Sequence, residues 1–439
     1  MRRLAYIVAV IGLAIGSISP IYAQDYVQDY ARMSERTITG TARYVGMSGA
    51  MSAIGGDPSA AHDNIAGLGL YRRSEAMLSM DITHAKPLTR VSLSQASFVL
   101  SLPVFNTDSK VKFHNLMISY RRLHAYNREY YISSGAAPSL GAMLANTDVE
   151  WDIPFCADPY NSGYDLRLRE SGGIYEFDFA WAANIADQWY VGAALNLQSY
   201  TLSAEADYRE IFSSKIGVNG TNYYNQNASS LLYNGFGASL SAGLIYRPTS
   251  WLRLGTGIQT PSVGHLTTSA AGTLTAQTDS VRISYAPDTR SRDTHFHQPL
   301  HSSSSVAFQI GAYGMIALQY DLHYQPQEAL QHSLRAGVEV IPVLGLYLNA
   351  GYAYESPFKH INSVVPMDPT FTRQDTYFMY PNHTHYASFA IGYRGSHVMI
   401  QAAYQYSRNS RDLYAHEQMA PATINQDIHR VVVTLGWHN

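Results

Sequence analysis

From residue 75 onward the chain is written largely in period two. Tyr175, Phe177, Phe179 and Trp181 alternate with Glu176, Asp178, Ala180 and, further on, Asn184. Leu116, Ile118 and Tyr120 alternate with Asn115, Ser119 and Arg121; Trp189, Val191, Leu195 and Leu197 with Tyr190, Gly192, Asn196 and Gln198. Phe236, Leu240, Leu244 and Tyr246 stand opposite Ser239, Ser241 and Arg247. Alternation over about ten residues is the span of a tilted membrane-crossing strand. One face is apolar enough for lipid. The other carries Glu, Asp, Asn, Gln and Arg, which lipid does not tolerate, so it must face a lumen.

About 14 such segments can be marked. The first seven are Glu75–Ala85, Ala96–Leu102, Phe113–Leu123, Gly173–Asn184, Trp189–Leu202, Gly235–Arg247 and Trp251–Thr260. The rest are Ser303–Tyr313, Met315–Tyr324, Leu334–Ile341, Leu346–Glu355, Tyr386–Arg394, Val398–Ser407 and His429–Trp437. Short links (Ile185–Gln188, Pro248–Ser250, Gly314, Pro342–Gly345, Gly395–His397) alternate with longer ones such as His124–Gly172, Ser203–Asn234 and Pro261–Ser302. Outer-membrane barrels have short periplasmic turns and longer outer loops; a soluble sandwich has no reason to sort its links. Val281 to Ala286 also alternates and is expected to extend the eighth strand above the membrane, which keeps the count even. The fold class is therefore all-β, a closed antiparallel transmembrane barrel of about 14 strands.

Composition agrees. Of 439 residues only 14% are charged, while Tyr numbers 34 and Gly 32; ordinary soluble proteins carry about 25% charge. A net charge of −3 leaves no nucleic-acid footprint. The single cysteine, Cys156, excludes an internal disulfide. Arg2 and Arg3, the apolar stretch Leu4 to Ile15 and the small-residue end at Ala23 read as a secretory signal over 1–23.

Residues 24–73 form an arm and a plug. Gly40 to Leu70 is rich in Gly, Ala and Ser, nearly uncharged, and follows neither period. It cannot build a core of its own and is stable only inside something else, here the barrel of residues 74–439. Gly46-Met47-Ser48-Gly49-Ala50, then Ala53-Ile54-Gly55-Gly56-Asp57-Pro58-Ser59-Ala60, then Asn64-Ile65-Ala66-Gly67-Leu68 resemble the hatch of the FadL/TodX-type outer-membrane transport proteins. The likeness extends to the branch in Bacteroidetes whose members are often labelled hemin receptors. Where that family has Pro after the Asn, this chain has Ile65. The resemblance implies an outer-membrane protein of a Gram-negative cell, made by the barrel-assembly machinery and bounded by lipid. It would take up a hydrophobic small molecule, such as a long-chain fatty acid or an aromatic compound, by capture in a plugged barrel and lateral release. It implies no cofactor and no enzyme activity. Two other roles stay open: a FadL-like scaffold in type IX protein secretion, and a hemin-binding receptor.

The hatch positions expected to matter, for turn geometry and plug–wall hydrogen bonds, are Gly46, Gly49, Asp57, Asn64, Ala66 and Gly67. By the resemblance, Gln24 and Tyr26 near the mature N-terminus reach a ligand pocket. Arg121, Arg247 or Arg335 could neutralise an acidic head group, or else inward charges such as Glu176, Asp178, Arg335 and Glu339 could brace the plug. No metal site is expected. The His295/His297 and His383/His385 pairs in predicted outer loops are the weak candidates for metal or haem.

Overall fold

A computed structural model describes residues 32–106, 108–145, 158–212, 223–277, 282–286, 289–325, 329–357, 359–360, 377–416 and 418–439. The expected signal segment, Gln24, Tyr26 and Cys156 lie outside the described residues, as does the side chain of His297.

The strands are β1 Glu75–Ala85, β2 Leu88–Pro103, β3 Val111–Gly135, β4 Gly163–Ile185, β5 Trp189–Phe212, β6 Tyr223–Tyr246, β7 Leu252–Gln259, β8 Val263–Gln277 and β9 Arg282–Tyr285. They continue as β10 Arg290–His297, β11 Leu300–Ile310, β12 Gly314–Gln325, β13 Ala329–Val340, β14 Leu346–Glu355, β15 Lys359–His360, β16 Phe378–Arg394, β17 Val398–Tyr414 and β18 Ala422–His438. All pair antiparallel, and β1 pairs with both β2 and β18, so the sheet closes. β7 and β8 lie in line beside β6. β11, β10 and β9 lie in line on their other side, and β15 continues β14. The result is a 14-stranded barrel, with the segment around Arg282–Tyr285 extending its eighth stave as expected.

β1 and β14 keep their expected bounds, but β3 to β6 run well past theirs. Stretches expected to be outer loops, such as 203–212, are strand. The reason is an inversion of polarity. Within the expected spans the apolar residues point out, as Phe177, Phe179, Leu195 and Leu240 do. Above them Leu166, Leu168, Ala204, Ala206 and Tyr208 are buried inside, while Arg167, Arg169, Glu205 and Asp207 are outside. The backbone pairing is the same; only the polarity of the outer face has changed, from apolar to charged.

Residues 38–69 are almost wholly buried within the ring. They form α1 Ala42–Gly46, α2 Ala60–Asp63 and a 3₁₀ turn at Ile65–Leu70. At the outer end, Leu140, Tyr164, Leu166, Tyr208 and Leu274 meet Tyr377, Met379 and Leu413 in one apolar cluster, so β4, β5 and β8 touch β16 and β17 across the lumen. Glu210 caps the short helix α3 Leu140–Ala145 there, accepting from the backbone N–H groups of Leu140 and Gly141, both at 2.9 Å. No helix among the described residues is long and apolar enough to cross a membrane.

Candidate functional site in the lumen

The hatch is folded by its own small polar groups. Thr41 caps α1, and its hydroxyl donates to Asp57 Oδ2 at 2.8 Å; Asp57 Oδ1 accepts from the Ser59 N–H at 2.8 Å. Asn64 caps the 3₁₀ turn through Ala66 N–H at 3.1 Å, and its amide donates to the Ser52 and Leu244 carbonyls. Gly67 packs against Gly55, whose φ of +60 suits glycine. Ala66 is buried with Tyr190 and Ile245, and Ile65 is buried against the wall without the proline. Gly46 abuts Ala390 of β16, where a Cβ would collide. Gly49 has φ +76 and packs against the Arg335 guanidinium and Tyr44.

Wall glycines complete the fit, and these the sequence reading missed. A Cβ at Gly257 would run into the Asp63 carbonyl, and one at Gly351 into the backbone of Met47. Their only signal in the sequence is a glycine inside a strand, a mark of close backbone approach.

Charge then ties plug to wall. Arg43 donates to Glu339 through Nε at 2.6 Å and Nη2 at 2.9 Å. Arg335 sits between Asp63 at 3.2 Å and Asp321 at 2.9 Å, with the Tyr44 hydroxyl donating to Asp63 at 2.7 Å. Glu35 bonds Arg128 and Arg411; burial would raise its carboxyl, but the two guanidiniums beside it hold it well below the usual carboxylate range. Arg335 is therefore matched by two carboxylates, one on the hatch and one on the wall.

Arg121 is different. It faces inward and is 6% exposed, yet it has no hydrogen bond or ion pair among the described residues, and its Nε is buried without a partner. Arg36 beside it bonds, among the described residues, the side-chain amides of Gln259 at 3.0 Å and Gln298 at 3.5 Å, with the Glu176 carboxylate acting on it by charge. Glu176 and Asp178 lie on the same floor, each 3.1 Å from His62 Nδ1. Burial, and then the charge of Arg121, push His62 down to about 4. His62, Glu176 and Asp178 are close enough together to hold a metal ion, but Arg121 and Arg36 already supply two positive charges against the two carboxylates. Above this floor the interior turns apolar: Leu123, Ile174, Leu202, Leu231 and Leu266 pack with Tyr200, Tyr233 and, from the lead-in, Met33 in one buried cluster. A charged floor beneath apolar side chains has the chemistry to hold an amphipathic molecule once those side chains part.

The remaining candidates lie elsewhere. Arg247 is past the end of β6 and donates to the Ser250 carbonyl in a short turn. His383 and His385 are in β16, not in a loop, and are exposed on the outer face, where Tyr354 and Tyr352 bond them. His295 is exposed in β10, its ring 6.3 Å from that of His265.

The wall is split beside Arg121. β2 pairs with β3 only from Gln95↔Arg121 to Pro103↔Phe113. Above that level β2 pairs with β1 and β3 with β4, and each pairing shifts register there. The plug's lead-in fills the seam: Thr37 N–H donates to the Leu123 carbonyl at 2.9 Å, Thr39 Oγ1 to the Arg122 carbonyl at 2.5 Å, and Ser94 Oγ to the Gly40 carbonyl at 3.1 Å. Arg122 bridges the seam to Ser92 and to Asp81, the latter at 2.6 Å.

No family model and no curated protein matches the chain. Solved structures do. A FadL homologue from Pseudomonas aeruginosa superposes with TM-score 0.56 at 12% identity, over 92% of this chain and 98% of that one. The toluene transporters TodX of Pseudomonas putida (TM-score 0.52, 14% identity, 92% and 99% covered) and TbuX of Ralstonia pickettii (0.51, 14%, 92% and 98%) are also similar. The likeness extends over almost the whole of each partner, and the chain has the FadL-type fold, a 14-stranded barrel.

Proposed function

We propose that the chain is an outer-membrane passage for hydrophobic small molecules bearing an acidic end, such as long-chain fatty acids. One observation carries this: an apolar cluster on the inner wall above Arg121, a buried guanidinium that no carboxylate bonds directly among the described residues, although Glu176 and Asp178 lie near it. The similar structures described as toluene transporters support the hydrophobic class of ligand. The apolar outward faces suit a bilayer, and residues 1–23 suit an export leader. A molecule entering past the outer cluster would settle with its head on Arg121 and Arg36. It would leave sideways through the β2–β3 seam when residues 37–40 withdraw.

The test is uptake of labelled fatty acid and of labelled toluene by a deletion strain carrying the wild-type chain or Arg121→Gln. Losing one charge-assisted hydrogen bond is worth about tenfold or more. Fatty-acid uptake should fall by about that factor while toluene uptake holds. Equal uptake of both solutes with and without the gene would overturn the reading. Secreted protein co-purifying with the barrel would then favour the secretion scaffold.

A further inference from the structure

The outward face carries a second ordered pattern. Four tyrosine–histidine pairs repeat around one half of the wall. In each, the hydroxyl meets Nδ1: Tyr320 with His332 at 2.5 Å, Tyr354 with His383 at 2.5 Å, Tyr352 with His385 at 2.8 Å and Tyr404 with His429 at 2.7 Å. Register carries the row on, since His429 stands opposite His84, which bonds Thr89 at 2.8 Å. The row therefore runs through β12, β13, β14, β16, β17, β18 and β1. It sits at the upper edge of the apolar band formed by Leu318, Leu334, Phe389, Ile400, Val433 and Met80.

The lower edge is built differently. Trp189 stacks on Tyr246 and Trp251 on Phe308, and Tyr313, Tyr393 and Trp437 are exposed near the short turns. Trp and Tyr suit either interface of a bilayer; the lower edge has scattered histidines, His114 stacked on Trp181 and His397 in a short turn, whereas the upper edge repeats the Tyr–His pair from strand to strand, and that order asks for a reason. In its midst is Arg408 of β17. It pairs in register with His385 on one side and Asp427 on the other, one step from the Tyr406↔His429 pair. Arg408 is exposed and has no hydrogen bond or ion pair among the described residues. The Asp427 carboxylate accepts from the Tyr406 hydroxyl at 2.6 Å.

We propose that this row binds the phosphorylated head group of an outer-leaflet glycolipid, with the phosphate on Arg408 between His385 and His429. The chemistry fits. A tyrosine O–H donating to Nδ1 leaves the ring proton on Nε2, so every pair offers an N–H donor, and Arg408 adds a fixed charge and a planar fork suited to phosphate. The height fits as well, because the row begins where the apolar band stops. The inference rests on the outer-membrane placement proposed above.

The test uses the full chain reconstituted in phosphatidylcholine nanodiscs doped with bisphosphorylated lipid A or with its dephosphorylated form. Lipid retained on the protein after delipidation is counted by native mass spectrometry. Wild type should retain the phosphorylated lipid about tenfold better. Arg408→Gln should lose most of that preference, and Arg408→Gln with His385→Gln and His429→Gln should lose all of it. Equal retention of the two lipids by wild type overturns the site, as does an undiminished preference in Arg408→Gln, whose exposed side chain is not needed for folding. The single variant decides if the triple variant fails to fold. Failure of wild type to insert at all overturns the membrane placement, and the site with it.

Discussion

At the scale of single residues, the lumen is an economy of buried charge, and its members differ in how they are matched. Arg335 has two carboxylates, so removing one should be costly. Asp63→Ala should destabilise the docked hatch by about 3 kcal/mol, because a buried guanidinium loses half its compensation. Hydrogen exchange of the 57–67 amides should accelerate accordingly. His62 gives a pH prediction. Its ring titrates at about 4 against an ordinary 6.5, so between these values the unfolded chain takes a proton that the folded one refuses. Its contribution is therefore complete above pH 6.5 and is lost as the pH falls toward 4, by about 3 kcal/mol in all. An NMR titration of the His62 ring should show the low value, and His62→Gln should flatten the acid limb of the melting curve. Arg121 was legible in the sequence as an inward arginine by alternation alone. That it is buried beside the hatch with no carboxylate bonded to it, while Arg335 is clamped by two and Arg247 sits in a short turn, depends on contacts between residues far apart in the chain, which no local pattern encodes.

At the scale of elements, alternation located every stave, because pairing and facing are both set by period two. It misjudged their length for a physical reason. The signal sought was an apolar outer face, and β3 to β6 turn that face polar where the solvent changes. The hatch was legible from its composition; within it Gly49 and Gly55 take positive φ, Asp57 and Asn64 bond the backbone of its turns, and Gly46 abuts the wall at Ala390. Its partners on the wall were not, since a strand glycine such as Gly257 looks like any other until the plug's backbone is laid against it. Gly257→Val should push the Asp63 carbonyl off the wall and cost about 1–3 kcal/mol by overpacking. The expected readout is a lower melting temperature in detergent with strand content unchanged. The β2–β3 seam has a test of its own. Arg122→Ala removes the side chain that ties it to Asp81 and Ser92. Proteolysis of the 37–40 lead-in should then speed up, while cleavage within residues 42–69 should not.

At the scale of the whole molecule, the barrel reverses its polarity twice. The lumen is polar where the outside is apolar, around the hatch, and apolar where the outside is wet, above it. A solute that fits such a path is greasy along its length and charged at one end. The most direct measurement is an experimental structure of the full chain purified with a terminally brominated long-chain fatty acid. The account expects its carboxylate within hydrogen-bond distance of Arg121, and its bromine, located by anomalous scattering, among Leu123, Ile174, Leu202 and Leu266, with residues 40–70 inside the ring. A bromine signal confined to the outer surface, or a plug found outside the barrel, would contradict it.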